Sequence, residues 1–287
     1  FFIANTEKDI VMALKTARKL KLPFFILGGG SNLLISEKGI KGLVIKVENR
    51  DIKFQKEKTF VGAGANLIKL AYLSADKGLS GLEWSAGIPG TVGGAIYGNA
   101  RAFDVGMSEA VKIVRAVNIK SMKILEFKKD QCEFSPESSV FKKNKNLVII
   151  SAVLEFKKEK STEKIKAHIK GFLEYRREKH PATFPSAGSV FVNNRTTIEN
   201  EILIEKFPEL KNYNKKRLIP SWYLIARCGL SGKKNGQAQI SEKHSNFIVN
   251  LGGAKAEDVM GLIDLAKQKV KKTFNIELEP EIQLVGF

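Results

Sequence analysis

Two stretches of this chain are backbone with almost no side chain, and backbone in that state can hold phosphate. The first is Gly28-Gly29-Gly30-Ser31-Asn32, set between the apolar runs Phe24 to Leu27 and Leu33 to Ile35. The second is Gly87-Ile88-Pro89-Gly90-Thr91-Val92-Gly93-Gly94-Ala95. Without a Cβ, the N–H groups can point inward and a ligand can approach closely, which is how a loop cradles a pyrophosphate. The first loop is not the G-x-G-x-x-G dinucleotide fingerprint, because a strand-like run and not a helix follows it. A lone triple glycine is a tight turn at least as often as a phosphate site. Two close-approach surfaces suit one extended dinucleotide better than an irregular packing motif.

Metal and thiol chemistry find little support. Cys132 and Cys228 are the only cysteines, and neither sits in a CxxC or Cys/His cluster. Both read as small buried apolar residues. His168, His180 and His244 are scattered without HExxH or His-x-His spacing, so no structural metal is expected.

The elements that must position these residues come from pattern. A chain of 287 residues, 43% of them hydrophobic, has material for two or three domains. It contains no apolar run of about eighteen residues, and FFIANTEKDI lacks the basic-then-apolar order of a secretory signal. A soluble, cytoplasmic protein is expected. The formal charge of +18 would suit nucleic acid, but the lysines are dispersed and no nucleic-acid motif accompanies them. Solvated lysine faces fit better, and their field would draw in polyanionic small molecules.

Asn5 and Thr6 can cap a helix carrying Ile10, Val11, Leu14, Ala17 and Leu20 on one face, which Pro23 ends. Strands are predicted at 24–27, 33–35, 43–47, 52–54 and 60–63, then a helix from Asn66 to about Asp76. From Gly78 to Gly98 glycine is too frequent for a plain helix or strand. Strands follow near 111–119, 123–127 and 147–156, then helices at 161–179 and 256–274 and a closing strand at 276–285.

With that frame in place, five words in one order carry a resemblance: LGGGSNLLIS (27–36), GLSGLEWSAGIPGTVGGAIYGNA (78–100), PSAGSVFVN (185–193), HSNFIVN (244–250) and LEPEIQLVG (278–286). They span nearly the whole chain and resemble the UDP-N-acetylenolpyruvoylglucosamine reductases, in the shorter, type II branch. The resemblance implies an α+β fold: a two-subdomain FAD-binding fold of the vanillyl-alcohol oxidase type plus a C-terminal α+β substrate-binding domain that covers the flavin. The implied boundaries are 1–48 and 49–160 for the FAD subdomains and 161–287 for the substrate domain, whose last strand can return to the FAD domain. Flavin-binding positions carried over are Gly28, Gly29, Gly30, Ser31, Asn32, Leu33, Pro89, Gly90, Thr91, Gly93, Gly94, Ala95 and Asn99. With no histidine between Phe1 and Ala100, FAD is expected to be non-covalent.

The implied reaction takes electrons from NADPH, through FAD, to the enolpyruvyl group of the nucleotide-sugar substrate, giving UDP-N-acetylmuramate for peptidoglycan. Ser189 matches the family's proton donor, Glu281 its catalytic carboxylate, and Asn193 a contact to the nucleotide-sugar phosphates. Glu279 reads as a surface residue. His244 reads as shaping the site, and Arg176 and Arg177 read equally as phosphate contacts or helix-end charges. NADH in place of NADPH, and the oligomeric state, stay open, and nucleic acid and membrane are not expected partners.

One segment departs from the family's F-G-Y-R-x-S-x-F pattern: in Phe134-Ser135-Pro136-Glu137-Ser138-Ser139-Val140-Phe141, Glu137 stands where the arginine belongs. Arginine would clamp the substrate carboxylate, and glutamate repels it. Either another cation substitutes, with Lys142 and Arg101 nearest in sequence, or the enzyme is slow, or its substrate differs. The chain also begins close to its first helix, where the family usually has a longer segment, which leaves a truncated product open. Two other readings stand beside the main one: another FAD oxidoreductase of the same fold, and a basic nucleic-acid-binding protein without flavin.

Overall fold

Thr6 starts the first helix as its sequence predicts: its hydroxyl accepts from the Asp9 N–H, while the Asp9 carboxylate accepts from the Thr6 N–H, a reciprocal cap worth about 1 kcal/mol. In the computed structural model, which describes residues 1–287, this helix runs Glu7–Lys19 and buries Ile10, Ala13, Leu14 and Ala17. The fold is α+β, and it divides into two compact units. The first comprises residues 1–30 and 40–176, the second residues 31–39 and 177–287.

In the first unit, the helix links Phe2–Ala4 to Phe24–Leu27, the two outer strands of a parallel three-stranded sheet whose central strand is Leu43–Val47. A second, antiparallel sheet runs in the order Lys123–Lys128, Val111–Asn118, Leu147–Glu155, Lys58–Gly62, Ile52–Gln55. Leu147–Glu155 lies inside it, and its nearly unbroken apolar run is buried on both faces. Arg115 joins the sheet to the first helix through a bidentate pair with Glu7 at 2.7 Å.

Asn49 makes the bridge that the site depends on. Its buried amide donates to the Ile150 carbonyl at 2.7 Å and accepts from the Gly64 N–H at 2.9 Å. No side chain at position 62 could pass this corner, because a Cβ there would sit 2.0 Å from the Asn49 carbonyl oxygen. The glycine-rich stretch differs from expectation: Val92–Gly98 is a helix despite its glycines. Thr91 caps its start, and Asn99, in the left-handed region at φ 46, ends it. Capping and the buried Val92, Ala95 and Ile96 outweigh the poor helix propensity of Gly93 and Gly94.

In the second unit a four-stranded antiparallel sheet runs Ser186–Ser189, Phe247–Asn250, Ala238–Ile240, Lys234–Asn235. Helix Ala256–Phe274 lies on it, burying Leu262, Ile263, Ala266, Val270 and Phe274. The expected strand 276–285 is shorter, Gln283–Val285, and ahead of it the chain makes only a single bridge, Pro280 opposite Phe191. It pairs in parallel with Leu33–Ile35. Segment 31–39 belongs to this unit through that pairing and through Glu37, whose carboxylate accepts from the Ala256 N–H at the helix start. Cys132 is buried as expected, and burial pushes its thiol up to about 12. Cys228 is only half-buried, at the C-cap of helix Ser221–Arg227, where it packs against the unit's core.

Asn49→Ala should leave the Ile150 carbonyl and the Gly64 N–H buried without partners and cost about 2 to 4 kcal/mol. Thermal unfolding measures this, and a melting temperature equal to wild type would refute the corner's importance.

Candidate functional site

In the first unit the two glycine segments lie directly against each other. A Cβ on Gly29 would fall 2.7 Å from the Gly90 Cα, and one on Gly28 would fall 2.8 Å from the Thr91 Oγ1. Only glycine permits that approach at either position. Gly30 sits at φ +73, another conformation glycine adopts freely. The second segment is pinned from beneath by the strand end it leans on: Val92 N–H donates to the Ala65 carbonyl at 2.9 Å and Gly93 N–H to the Ala63 carbonyl at 2.8 Å. Gly94 N–H is taken by the Thr91 hydroxyl at 3.3 Å.

These bonds divide the labour within the predicted flavin site. The first N–H groups of helix Val92–Gly98 are spent inside the protein, so this segment contributes a bare surface and not donors. The Gly29 and Gly30 N–H groups enter no backbone hydrogen bond and are solvent-exposed, so donors come from the first loop. The exposed backbone of Gly29 and Gly30, set against a second segment that comes close only because positions 28 and 29 carry no Cβ, is a surface a flavin dinucleotide can lie on, and the residues present fit it. Asn99 is a support: its amide donates to the Ser135 carbonyl at 2.9 Å and accepts from the Ser108 N–H at 3.0 Å.

The segment that departs from the family is held beside that helix. Ser139 donates to the Tyr97 carbonyl at 2.8 Å, and Ser135 and Ser138 bond each other's backbone across a turn. Glu137 lies within it at φ 52. Lys142 donates to the Glu137 carbonyl at 2.8 Å, and Arg101 to the Asp104 carbonyl at 3.3 Å. Each of the two cations named from sequence thus meets a neutral backbone oxygen.

The second unit holds the other predicted residues. Ser189 ends strand Ser186–Ser189, opposite Phe247, after Gly188 at φ +83. Glu281 reaches the same place from the C-terminal end: its N–H donates to the Val190 carbonyl at 2.8 Å, two residues after Val192 N–H meets the Glu279 carbonyl in the same pairing. Ser189 and Glu281, far apart in sequence, therefore stand on hydrogen-bonded neighbouring chains. Glu281 is half-buried and Glu279 exposed, the distribution read from the sequence. Asn32 joins them, donating to the Glu281 carbonyl at 3.2 Å while its own carbonyl accepts from Gln283. Ser31 and Leu33 flank it in the same unit.

Asn246 is a positioning residue that sequence reasoning passed over. Its buried amide clamps both backbone groups of Phe191, at 3.0 and 2.8 Å, and the Val190 N–H donates to its carbonyl. The chain just after Ser189 is thereby fixed. The signal was present in HSNFIVN, but a buried asparagine looks like any polar loop residue until its partners are known. Asn193, predicted to contact phosphate, is exposed, and its side-chain oxygen accepts from Ser221 N–H at the start of helix Ser221–Arg227.

His244 packs edge-on against His180 and Phe247 and near Trp222. Its Nδ1 is buried without a hydrogen-bond partner, and burial holds its pKa below the ordinary histidine value. A lowered folded pKa means that the unfolded chain binds the extra proton, so stability is complete above about pH 6.5 and falls as the pH drops below it. Thermal unfolding between pH 7.5 and 5 should show this loss, and His244→Gln should flatten it. An unchanged slope would exclude His244 as its source.

Comparison with known proteins agrees with this geometry. Residues 1–126 match the FAD binding domain family, and residues 180–285 match the UDP-N-acetylenolpyruvoylglucosamine reductase C-terminal domain family. The UDP-N-acetylenolpyruvoylglucosamine reductase of Anoxybacillus flavithermus is 38% identical over 95% of this chain and 83% of its own length. That of Bacillus subtilis is 35% identical over 98% of this chain and 85% of its own. Among solved structures, the reductase of Thermus caldophilus aligns with a TM-score of 0.77 at 27% identity, covering 99% of this chain and 91% of that one. With relatives of this identity matched over nearly its whole length, the chain belongs to the UDP-N-acetylenolpyruvoylglucosamine reductase family.

Proposed function

We propose that this chain reduces the enolpyruvyl group of UDP-N-acetylenolpyruvoylglucosamine to give UDP-N-acetylmuramate, a precursor of peptidoglycan, using NADPH and non-covalently held FAD in the cytoplasm. The observation that carries the flavin part is the backbone contact between Gly28–Gly29 and Gly90–Thr91, within the region matching the FAD binding domain family. Gly28 to Leu33 and Pro89 to Ala95 are the residues that would hold the dinucleotide, with Asn99 supporting them. When bound, FAD supplies the hydride chemistry.

What the chain's own side chains must do is manage protons and charge. Once a hydride has been added to the substrate's methylene carbon, negative charge develops on the adjacent carbon and its carboxylate, and a donor must meet it there. Ser189 supplies the proton to that carbon; its hydroxyl is a weak acid and depends on fixed geometry, which the Asn246 clamp on Phe191 supports. Glu281 stabilises the enolic form from the neighbouring chain. Asn193 can offer its amide N–H groups to the phosphates while its oxygen stays on Ser221.

A different substrate on the same flavin fold is the competing reading, favoured by Glu137 alone. Rapid reoxidation of the reduced protein by the enolpyruvyl sugar nucleotide decides for the main reading, and reoxidation no faster than by solvent oxygen decides against it.

Two variants test the assignments. Gly94 is exposed in the helix, and a Cβ there meets only the Thr91 Oγ1, at 3.4 Å. Gly94→Ala should therefore leave the apoprotein at least as stable as wild type, by up to about 1 kcal/mol. FAD affinity should nonetheless drop at least about tenfold, as a methyl group intrudes on the cradle. Fluorescence titration with undiminished affinity would take Gly94 out of the flavin surface. Ser189→Ala should keep the rate of flavin reduction by NADPH and slow reoxidation by substrate by about 100-fold or more. Stopped-flow absorbance separates the two half-reactions, and an equal fall in both would remove the proton-donor role.

A further inference from the structure

Arg176, near the end of helix Thr162–Lys179, is a half-buried cation that enters no ion pair. Its Nε is shut off from solvent and has no hydrogen-bond partner. Burial lowers its pKa, and no carboxylate acts to raise it. The chain holds 48 lysines and arginines against 30 acidic residues, and the arginines in its ion pairs, such as Arg115 and Arg227, carry their partners with them. Desolvating a guanidinium without an anion is unfavourable, and such a group is kept where an anion arrives.

Its surroundings say where. The Arg176 side chain lies across Gly87, the first residue of the second glycine segment: a Cβ there would stand 2.6 Å from Arg176 Cδ and 3.3 Å from Nε. Leu173, one turn earlier, fills the remaining side, 3.1 Å from the same point. The helix is fixed at this depth by Phe172, whose ring is 4.3 Å from that of Phe103, while Tyr175 meets Phe103 edge-on at 5.2 Å. Position and orientation of the guanidinium are thus set by packing on both sides, with its charge unneutralised beside the bare backbone that the flavin reading requires.

We propose that Arg176 is an anion-binding residue of this site, receiving an anionic oxygen, phosphate or carboxylate, from a ligand lying on the Gly87–Ala95 surface. The proposal rests on the flavin reading above, and it makes Gly87 a positioning residue for Arg176. A carboxylate oxygen would come from the enolpyruvyl substrate and a phosphate oxygen from FAD or the sugar nucleotide. Planar, five-donor geometry suits either, and lysine at this position would recover only part of the interaction.

The test uses the full chain in two titrations. FAD is added to flavin-free wild type, Arg176→Met, Arg176→Lys and Gly87→Ala, with riboflavin, which lacks phosphate, as the control. UDP-N-acetylenolpyruvoylglucosamine is then added to each FAD-loaded protein and the shift of the flavin spectrum is followed. The proposal expects Arg176→Met to weaken one of these ligands by about 10-fold to 100-fold, with partial recovery in Arg176→Lys. Loss for FAD but not riboflavin identifies flavin phosphate as the anion, and loss confined to the second titration identifies the substrate. Gly87→Ala keeps the arginine and displaces it, so it should weaken the same ligand, and it carries the test should Arg176→Met fail to fold. Unchanged affinity in both titrations for a folded variant overturns the proposal. Wild type that takes up no FAD would instead overturn the functional reading itself.

Discussion

The approach of Gly29 to Gly90, backbone against backbone, constrains what surrounds it. Two chain segments meeting without a Cβ between them need support from elsewhere, because glycine contributes no packing of its own. Here the support is the corner at Asn49, the strand end at Ala63 and Ala65, and the Thr91 cap, which together hold helix Val92–Gly98 in place. The result is a surface rigid enough to be precise and bare enough to be approached. Bonds inside the protein consume the helix's leading N–H groups, so the exposed Gly29 and Gly30 carry the free donors. One glycine segment gives closeness and the other gives hydrogen bonds.

The second unit solves a different problem with ordinary residues. Ser189 and Glu281 are brought together by main-chain pairing that runs past Pro280, and the pairing is stiffened by an amide, Asn246, that satisfies both backbone groups of Phe191. A buried amide with all its partners present ties the chain more tightly than packing alone. Asn32 contributes a third tie from a distant part of the sequence. Standing on neighbouring chains, Ser189 and Glu281 are each restrained through the other's backbone.

Much of this was legible in the sequence, because local physics leaves local marks. Thr6 with Asp9, Asn66 before its helix and the apolar spacing of 256–274 each announce an element whose stability is decided within a few residues. The failures share a cause. Helix Val92–Gly98 contradicts its own propensity because capping and tertiary hydrogen bonds support it, and the closing strand is short because its register is set by a partner, Leu33–Ile35, far away in the sequence. Asn49 and Asn246 were invisible as supports, since a buried asparagine is defined by partners many residues away. Arg176 read equally as a phosphate contact or a helix-end charge, and the sequence has no mark for a buried Nε without a partner.

That distinction bears on how the large positive charge should be understood. Most basic side chains here are exposed, and their pairs, such as Lys143 with Glu133 or Lys271 with Glu277, are solvent-screened surface pairs that contribute little to stability. They keep the surface solvated and its field positive, which raises the local concentration of polyanions without selecting among them. Selection requires a cation that is partly desolvated and held away from the carboxylates of its own chain. Arg176 meets that description, whereas Lys142 and Arg101 are occupied with backbone carbonyls. A diffuse field has no direction, so net charge alone cannot orient an anion. The capacity to orient a carboxylate or phosphate must therefore rest on the few cations whose geometry the fold fixes.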